Sequence, residues 1–183
     1  MAVITLSSFP AQYVKIFMEE APKFGIEPRL AMSVAFKESR FKNGVCFRGS
    51  HGLMQIQLRS KRGRSCAATM GKAKKMRLYD PRTNIRRGLH LMRMWKRWWL
   101  KHHRYDGYHW LLHYNQGYGR CPKGKRKCSA SERIPVRTGK RGGYADRVLK
   151  IYRQLKKRKN EPLSSVPGLL ERGCRLVCYS ISM

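Results

Sequence analysis

Apolar residues recur at helical spacing in four stretches of the chain. Tyr13, Val14, Phe17 and Met18 follow a Ser-Ser-Phe-Pro start signal and predict a first helix from about Pro10 to Ala21. A second begins at Pro28, where proline suits the first turn, and runs through RLAMSVAFKESR to about Arg40. The longest pattern places Ile85, Leu89, Met92, Trp95 and Trp99 on one face, with Asn84 read as its N-cap after an Asp80-Pro81 turn. Tyr144, Val148, Ile151, Tyr152 and Leu155 line one face of a last helix ending at about Lys157. Between them, GYHWLLHYNQGYG reads as a short helical segment capped by Asp106 and closed by a glycine-rich turn. Residues 40 to 78 read as loop, rich in glycine and bases, with one short β-hairpin between residues 42 and 58. Residues 120 to 142 read as a basic loop, and the tail after Asn160 carries no period. The fold class is mainly α.

Composition sets the next bounds. The chain has 183 residues, of which 42% are hydrophobic, with four Trp, nine Tyr and six Phe available for burial. That length and content fit one folded domain and exclude disorder throughout. We read residues 1–159 as that domain and 160–183 as a C-terminal tail of unassigned role. Against 41 Lys or Arg stand only 10 Asp or Glu, a formal charge of +31. Such a surface attracts polyanions, whether nucleic acid, anionic lipid or acidic wall polymer, and the charge does not choose among them.

No run reaches the roughly 18 apolar residues of a membrane span. The start, MAVITLSSFPAQYVKIFMEE, lacks the basic n-region, apolar core and small-residue site of a secretory leader, so synthesis as a soluble cytoplasmic product is expected. The six cysteines, Cys46, Cys66, Cys121, Cys128, Cys174 and Cys178, are accordingly read as thiols first. A disulfide framework would follow only release from the cell. Zinc comes third, because six residues lie between Cys121 and Cys128 and three between Cys174 and Cys178, neither a CxxC.

The second helix carries an anomaly. Ala31, Val34, Ala35 and Glu38 share one face by the three-four spacing rule, so the side chain that points at the core is a carboxylate. Burial disfavours its ionised form, and its place near the negative end of the helix dipole pushes the same way. A carboxylic acid that keeps its proton is what general acid catalysis at a glycosidic oxygen requires. The structural alternative is a glutamate paired with Arg40 or another of the many bases.

Further along come Gly52-Leu53-Met54-Gln55, then DPRTNIRRG from Asp80 to Gly88, then HYNQG at 113 to 117, then YADRVLKIY from Tyr144 to Tyr152. With Glu38-Ser39 these five segments, in order over about residues 25 to 155, resemble the lytic transglycosylase domain of the soluble, goose-type-lysozyme-like superfamily. The resemblance implies a lysozyme-like α domain that cleaves peptidoglycan between N-acetylmuramic acid and N-acetylglucosamine, without a cofactor or metal. It implies that Glu38 is the catalytic acid/base and that Gln55 and Tyr114 line the substrate groove. Ser39, Met54 and Asn115 occupy motif positions that support or flank the groove, with packing as strong a reading as sugar contact.

A two-carboxylate hydrolase needs a second acid about 5 to 9 Å from the first, and none of the other nine acids is an obvious partner. A single-acid path fits better, in which Glu38 protonates the leaving oxygen and then takes the proton of the muramoyl C6 hydroxyl, giving a 1,6-anhydro end. Simple hydrolysis of the same bond is the alternative. The chain departs from the pattern at Lys140, where a glutamate is common, at His113, where a small residue is usual, and in FKNGVCFRGSH, which lacks a frequent proline. His51 and His113 sit beside the motifs and could border the groove, and His109 with His113 has the spacing of a metal pair without a third ligand. Trp95, Trp98, Trp99 and Trp110 read as core. A nucleic-acid-binding protein is the rival class, since bases interleaved with tyrosines bind phosphates nonspecifically. The expected partners are therefore glycan strands of peptidoglycan, anionic wall or outer-membrane polymers and, nonspecifically, nucleic acid. A phage-encoded monomer, made in the host cytoplasm and acting on the wall from a virion or at lysis, is the setting the family analogy implies. Only seven of the 41 bases precede residue 59, while eight lie in 59–77 and nine in 120–141, which reads as a clamp of basic loops on an anionic wall.

Overall fold

A computed structural model describes residues 4–61, 63–102, 108, 110–116 and 143–157. Helix α1 (Ala11–Glu20) buries Tyr13, Val14 and Phe17, continues as a single 3-10 turn over Ala21–Phe24, and stops at Gly25, whose φ of 66° places it in the left-handed region. Helix α2 (Pro28–Ser39) starts where the Glu27 carboxylate accepts hydrogen bonds from the Arg29 and Leu30 amides at 3.2 and 3.0 Å. Arg40 is its left-handed C-cap, with φ 51°, so the helix ends one residue before the expected boundary.

The expected hairpin is a three-stranded antiparallel sheet of two-residue strands, β1 (Cys46–Phe47), β2 (Ser50–His51) and β3 (Ile56–Gln57), in the order β1-β2-β3. Cys46 pairs with His51 and His51 with Ile56. A helix that the loop reading missed follows: α3 (Cys66–Lys75), whose Ser65 cap accepts from the Ala68 amide at 3.1 Å. Its sequence, CAATMGKAKK, buries only Thr69 and Ala73, so it carries no apolar stripe to announce it. Capping, alanines and attachment to the sheet sustain it instead. Cys66 is joined to Cys46 by a disulfide, which corrects the reading of these two as thiols; the other four cysteines lie outside the described residues.

Helix α4 (Pro81–His102) buries the whole expected stripe of Ile85, Leu89, Met92, Trp95 and Trp99. Its cap is Asp80, whose carboxylate accepts from the Thr83 amide at 2.8 Å; Asn84 is a buried residue inside the first turns, which corrects its reading as the cap. Helix α5 (Trp110–Gln116) occupies the predicted short segment, while Asp106 lies outside the described residues. Helix α6 (Tyr144–Lys157) has the predicted start, end and buried face. α2 packs against both α1 and α6, and α4 against α1 and α5, around one hydrophobic core. The architecture is the mainly α, lysozyme-like one that the sequence predicted. No helix among the described residues is long and apolar enough to cross a membrane. The proposed tail, 160–183, lies outside the described residues.

Candidate active site

Glu38 stands in the last turn of α2, two residues before the left-handed cap at Arg40. The other members of its face, Ala31, Val34 and Ala35, are fully buried, and the face meets α6. From the first turn of α6 the Tyr144 hydroxyl donates to Glu38 Oε1 at 2.5 Å. Burial pushes the Glu38 carboxyl above its ordinary range, outweighing the Tyr144 hydrogen bond and the nearby Lys37 charge, both of which favour the ionised form. Glu38 forms no ion pair with a described residue, so the arginine-paired alternative is not what the fold builds. Burial and the Glu38 charge drive the hydroxyls of Tyr144 and Tyr114 well above the usual phenol value. Both therefore stay protonated as donors across physiological pH.

The GLMQ segment forms a tight turn beneath this acid's neighbour, Tyr114. Gly52 has φ 75°, and a Cβ there would lie 2.1 Å from Asn84 Nδ2 and 2.5 Å from the Leu78 carbonyl. Only glycine fits. Asn84 occupies that space with three hydrogen bonds: Nδ2 donates to the carbonyls of His51 (2.9 Å) and Leu78 (2.8 Å), and Oδ1 accepts from the Met54 amide (2.7 Å). Met54 itself is fully buried and packs where Gly88 of α4 has no side chain, a Cβ there falling 2.6 Å from Met54 Cβ. On the other side of the turn the Tyr114 hydroxyl donates to the Met54 carbonyl at 2.8 Å. Gln55, in a left-handed conformation with φ 49°, turns its amide back on the loop, Nε2 donating to the Gly52 and Val45 carbonyls at 2.8 and 3.1 Å.

The structure thus brings Glu38, Tyr144 and Tyr114 together and ties Gln55 and Met54 to them through the turn. Ser39 is buried and donates back to the Ala35 carbonyl at 3.3 Å, a packing role, whereas Asn115 is exposed. Sequence reasoning placed Tyr144 on the core face of its helix and did not select it as a site residue. The signal was present, since a tyrosine opens the last motif, but its partner across 106 residues is visible only in the fold. His51 and His113 are both fully buried rather than bordering a groove. The His51 ring lies 2.7 Å from both Tyr79 Oη and Thr69 Oγ1, and burial lowers its pKa and keeps it neutral. His113 stacks on Trp95 at 5.5 Å within the tryptophan cluster. Lys140 and His109 lie outside the described residues.

A family model of the transglycosylase SLT domain matches residues 15–135, more than half of the chain. The chain belongs to that family. Members of the SLT family are lytic transglycosylases, so cleavage of glycosidic bonds in peptidoglycan is the activity of this SLT domain. No curated protein and no solved structure matches the chain. The matched span contains Glu38, the GLMQ turn, Asn84 and Tyr114, while Tyr144 lies beyond it.

Proposed function

We propose that Glu38 is the single acid/base of this SLT domain, acting on the bond between N-acetylmuramic acid and N-acetylglucosamine to leave a 1,6-anhydromuramoyl end. The observation that carries the reading is a half-buried carboxyl, free of any ion pair with a described residue, whose pKa is raised by burial and whose oxygen is held by Tyr144 at 2.5 Å. Protonated Glu38 gives its proton to the departing glycosidic oxygen, and the substrate's acetamido group stabilises the cation. The carboxylate then accepts the proton of the muramoyl C6 hydroxyl as that oxygen closes on C1. Tyr144 keeps the acid pointed at the reacting oxygen in both protonation states, and Tyr114 with the GLMQ turn shapes the adjoining groove.

The disposition of the other described acids supports a one-carboxylate path. Glu19 and Glu20 are engaged by Arg82 at 2.6 and 2.5 Å, Glu27 and Asp80 cap α2 and α4, and Asp146 accepts from the Gly143 amide at 3.2 Å. The remaining four acids lie outside the described residues. Glu38→Gln is expected to fold and to lose wall lysis, and mass spectrometry of wild-type digests is expected to find anhydro ends. Retained lysis in the variant would overturn the role of Glu38; reducing ends in the digest would replace transglycosylation by hydrolysis.

A further inference from the structure

Beside α4 and β3 the chain forms a groove of about 510 Å3 whose lining includes none of Glu38, Tyr114 and Tyr144. Its apolar lining includes Phe24 of the 3-10 turn, Leu58 after β3, Met76 after α3 and Leu91 of α4, while Arg87 and His90 stand on its rim. That volume is in the range of sites that hold a small molecule. Neither rim residue is spoken for. Arg86 leans toward Glu20 at 3.6 Å, but Arg87 and His90 are exposed and have no hydrogen-bond or ion-pair partner among the described residues, none of whose acids lines the groove.

The two halves of the groove ask for different chemistry in one ligand. The side chains of Phe24, Leu58, Met76 and Leu91 offer a hydrocarbon surface that favours an alkyl chain, with Gln57 and Thr83 as the polar side chains beside it. An arginine fork beside an imidazole favours a phosphate. A nucleic acid strand would satisfy the rim and leave the apolar half in water, since Phe24 is the one aromatic ring among its apolar side chains. We propose that this groove is a binding site for a phosphate-headed lipid, with the phosphate on Arg87 and His90 and the chain along Phe24, Leu58, Met76 and Leu91. The site would hold a wall-cutting enzyme against an anionic membrane next to its substrate, a role separate from the bond cleavage itself.

The net charge of +31 makes the whole surface attract anions, so the test must separate the groove from that background. Lysophosphatidic acid, below its micelle concentration, is titrated calorimetrically into the full chain at about 0.5 M NaCl, where the Debye length falls to roughly 4 Å. One molecule should bind per chain, with lysophosphatidylcholine and glycerol 3-phosphate each at least tenfold weaker. The double variant Arg87→Gln with His90→Gln should lose at least tenfold in affinity, and Leu91→Ser several-fold, with wall lysis unchanged. Arg93→Gln with Arg97→Gln, exposed bases further along α4 and outside the groove, should stay within twofold. Equal weakening by both pairs, or displacement of the lipid by duplex DNA at the same salt, would make this a general polyanion surface and overturn the proposal. Equally tight binding of glycerol 3-phosphate would overturn the lipid in favour of free phosphate, and displacement by an N-acetylglucosamine oligomer would assign the groove to the glycan. The readout is binding, so its failure is distinct from failure of the Glu38 assignment.

Discussion

Replacing Asn84 discriminates between two roles that the same residue can play near a helix start. As an N-cap it would hold one or two exposed amides, and its loss would cost about 1 kcal/mol. In the fold it is fully buried and makes three hydrogen bonds of 2.7 to 2.9 Å, which join α4 to Met54 of the GLMQ turn, to His51 just before it and to Leu78 ahead of α4. Asn84→Ala strands the Met54 amide and removes a donor from the His51 and Leu78 carbonyls. At about 1 to 1.5 kcal/mol per buried neutral hydrogen bond, the expected loss is roughly 3 to 5 kcal/mol. For a chain of this size that lowers Tm by roughly 6 to 20 °C, against about 2 to 4 °C for a lost cap.

Asn84→Asp sharpens the comparison. Aspartate caps helices as well as asparagine does, so a cap would tolerate the change. The bridge would not, because aspartate cannot donate to the two carbonyls and brings a charge into a buried site. Urea unfolding followed by circular dichroism, with lysis rates measured well below each variant's transition, gives both quantities. A loss near 1 kcal/mol for Asn84→Ala, or a neutral Asn84→Asp, would refute the bridging role and the claim that α4 holds the turn.

Three other expectations follow from the same geometry. Tyr144→Phe removes a hydrogen bond that favours ionised Glu38, so its pKa should rise further; the alkaline limb of kcat/KM on a soluble glycan should move to higher pH, and an unmoved or lowered limb would refute the pairing. Because the folded chain holds the Glu38 proton more tightly than the unfolded chain, this group's contribution to stability is full below the ordinary carboxylate value and is lost as pH rises through the raised one. Glu38→Gln should therefore gain Tm over wild type at pH 7 and lose that advantage near pH 3, and a pH-independent difference would count against a half-buried acid with a raised pKa. Replacing both Cys46 and Cys66 by serine, or reducing the wild type, opens a crosslink spanning a sequence separation of 20 and should cost about 3 kcal/mol in urea unfolding, with no change expected if the bond is absent in solution.

How much of this was legible depended on periodicity. α4 and α6 announced themselves because their buried residues recur at the helical period, and both hold the predicted faces. α3 did not, since a helix that buries only Thr69 and Ala73 has no stripe, and its evidence is a cap and a crosslink that sequence cannot pair. The sheet was foreseen as one hairpin because two-residue strands are shorter than any alternation that could be counted. Glu38 was legible for a different reason: a carboxylate broke the pattern of an otherwise apolar face. Tyr144 was placed correctly on the core face but not selected for the site, because its partner Glu38 lies 106 residues away, and Asn84 was misread because it obeyed a capping preference, while two of its three partners lie 30 and 33 residues away.

The two halves of the site rest on different parts of the fold, and this separates what each controls. Glu38 and Tyr144 belong to α2 and α6, which pack directly on each other, so the acid's orientation and pKa are set within that pair. The GLMQ turn belongs to the other half: the Met54 amide is held by Asn84 of α4, its carbonyl by Tyr114 of α5, and its side chain by the space Gly88 leaves. A weakened α4 tether therefore lets the groove wall move without touching the carboxyl. Folded Gly88→Ala enzyme should show a raised KM with the pH dependence of kcat preserved, whereas Tyr144→Phe should move the pH dependence with a smaller effect on KM. A Gly88→Ala variant with a displaced pH profile would mean that the two halves are mechanically one, joined through the contact of α5 with α6.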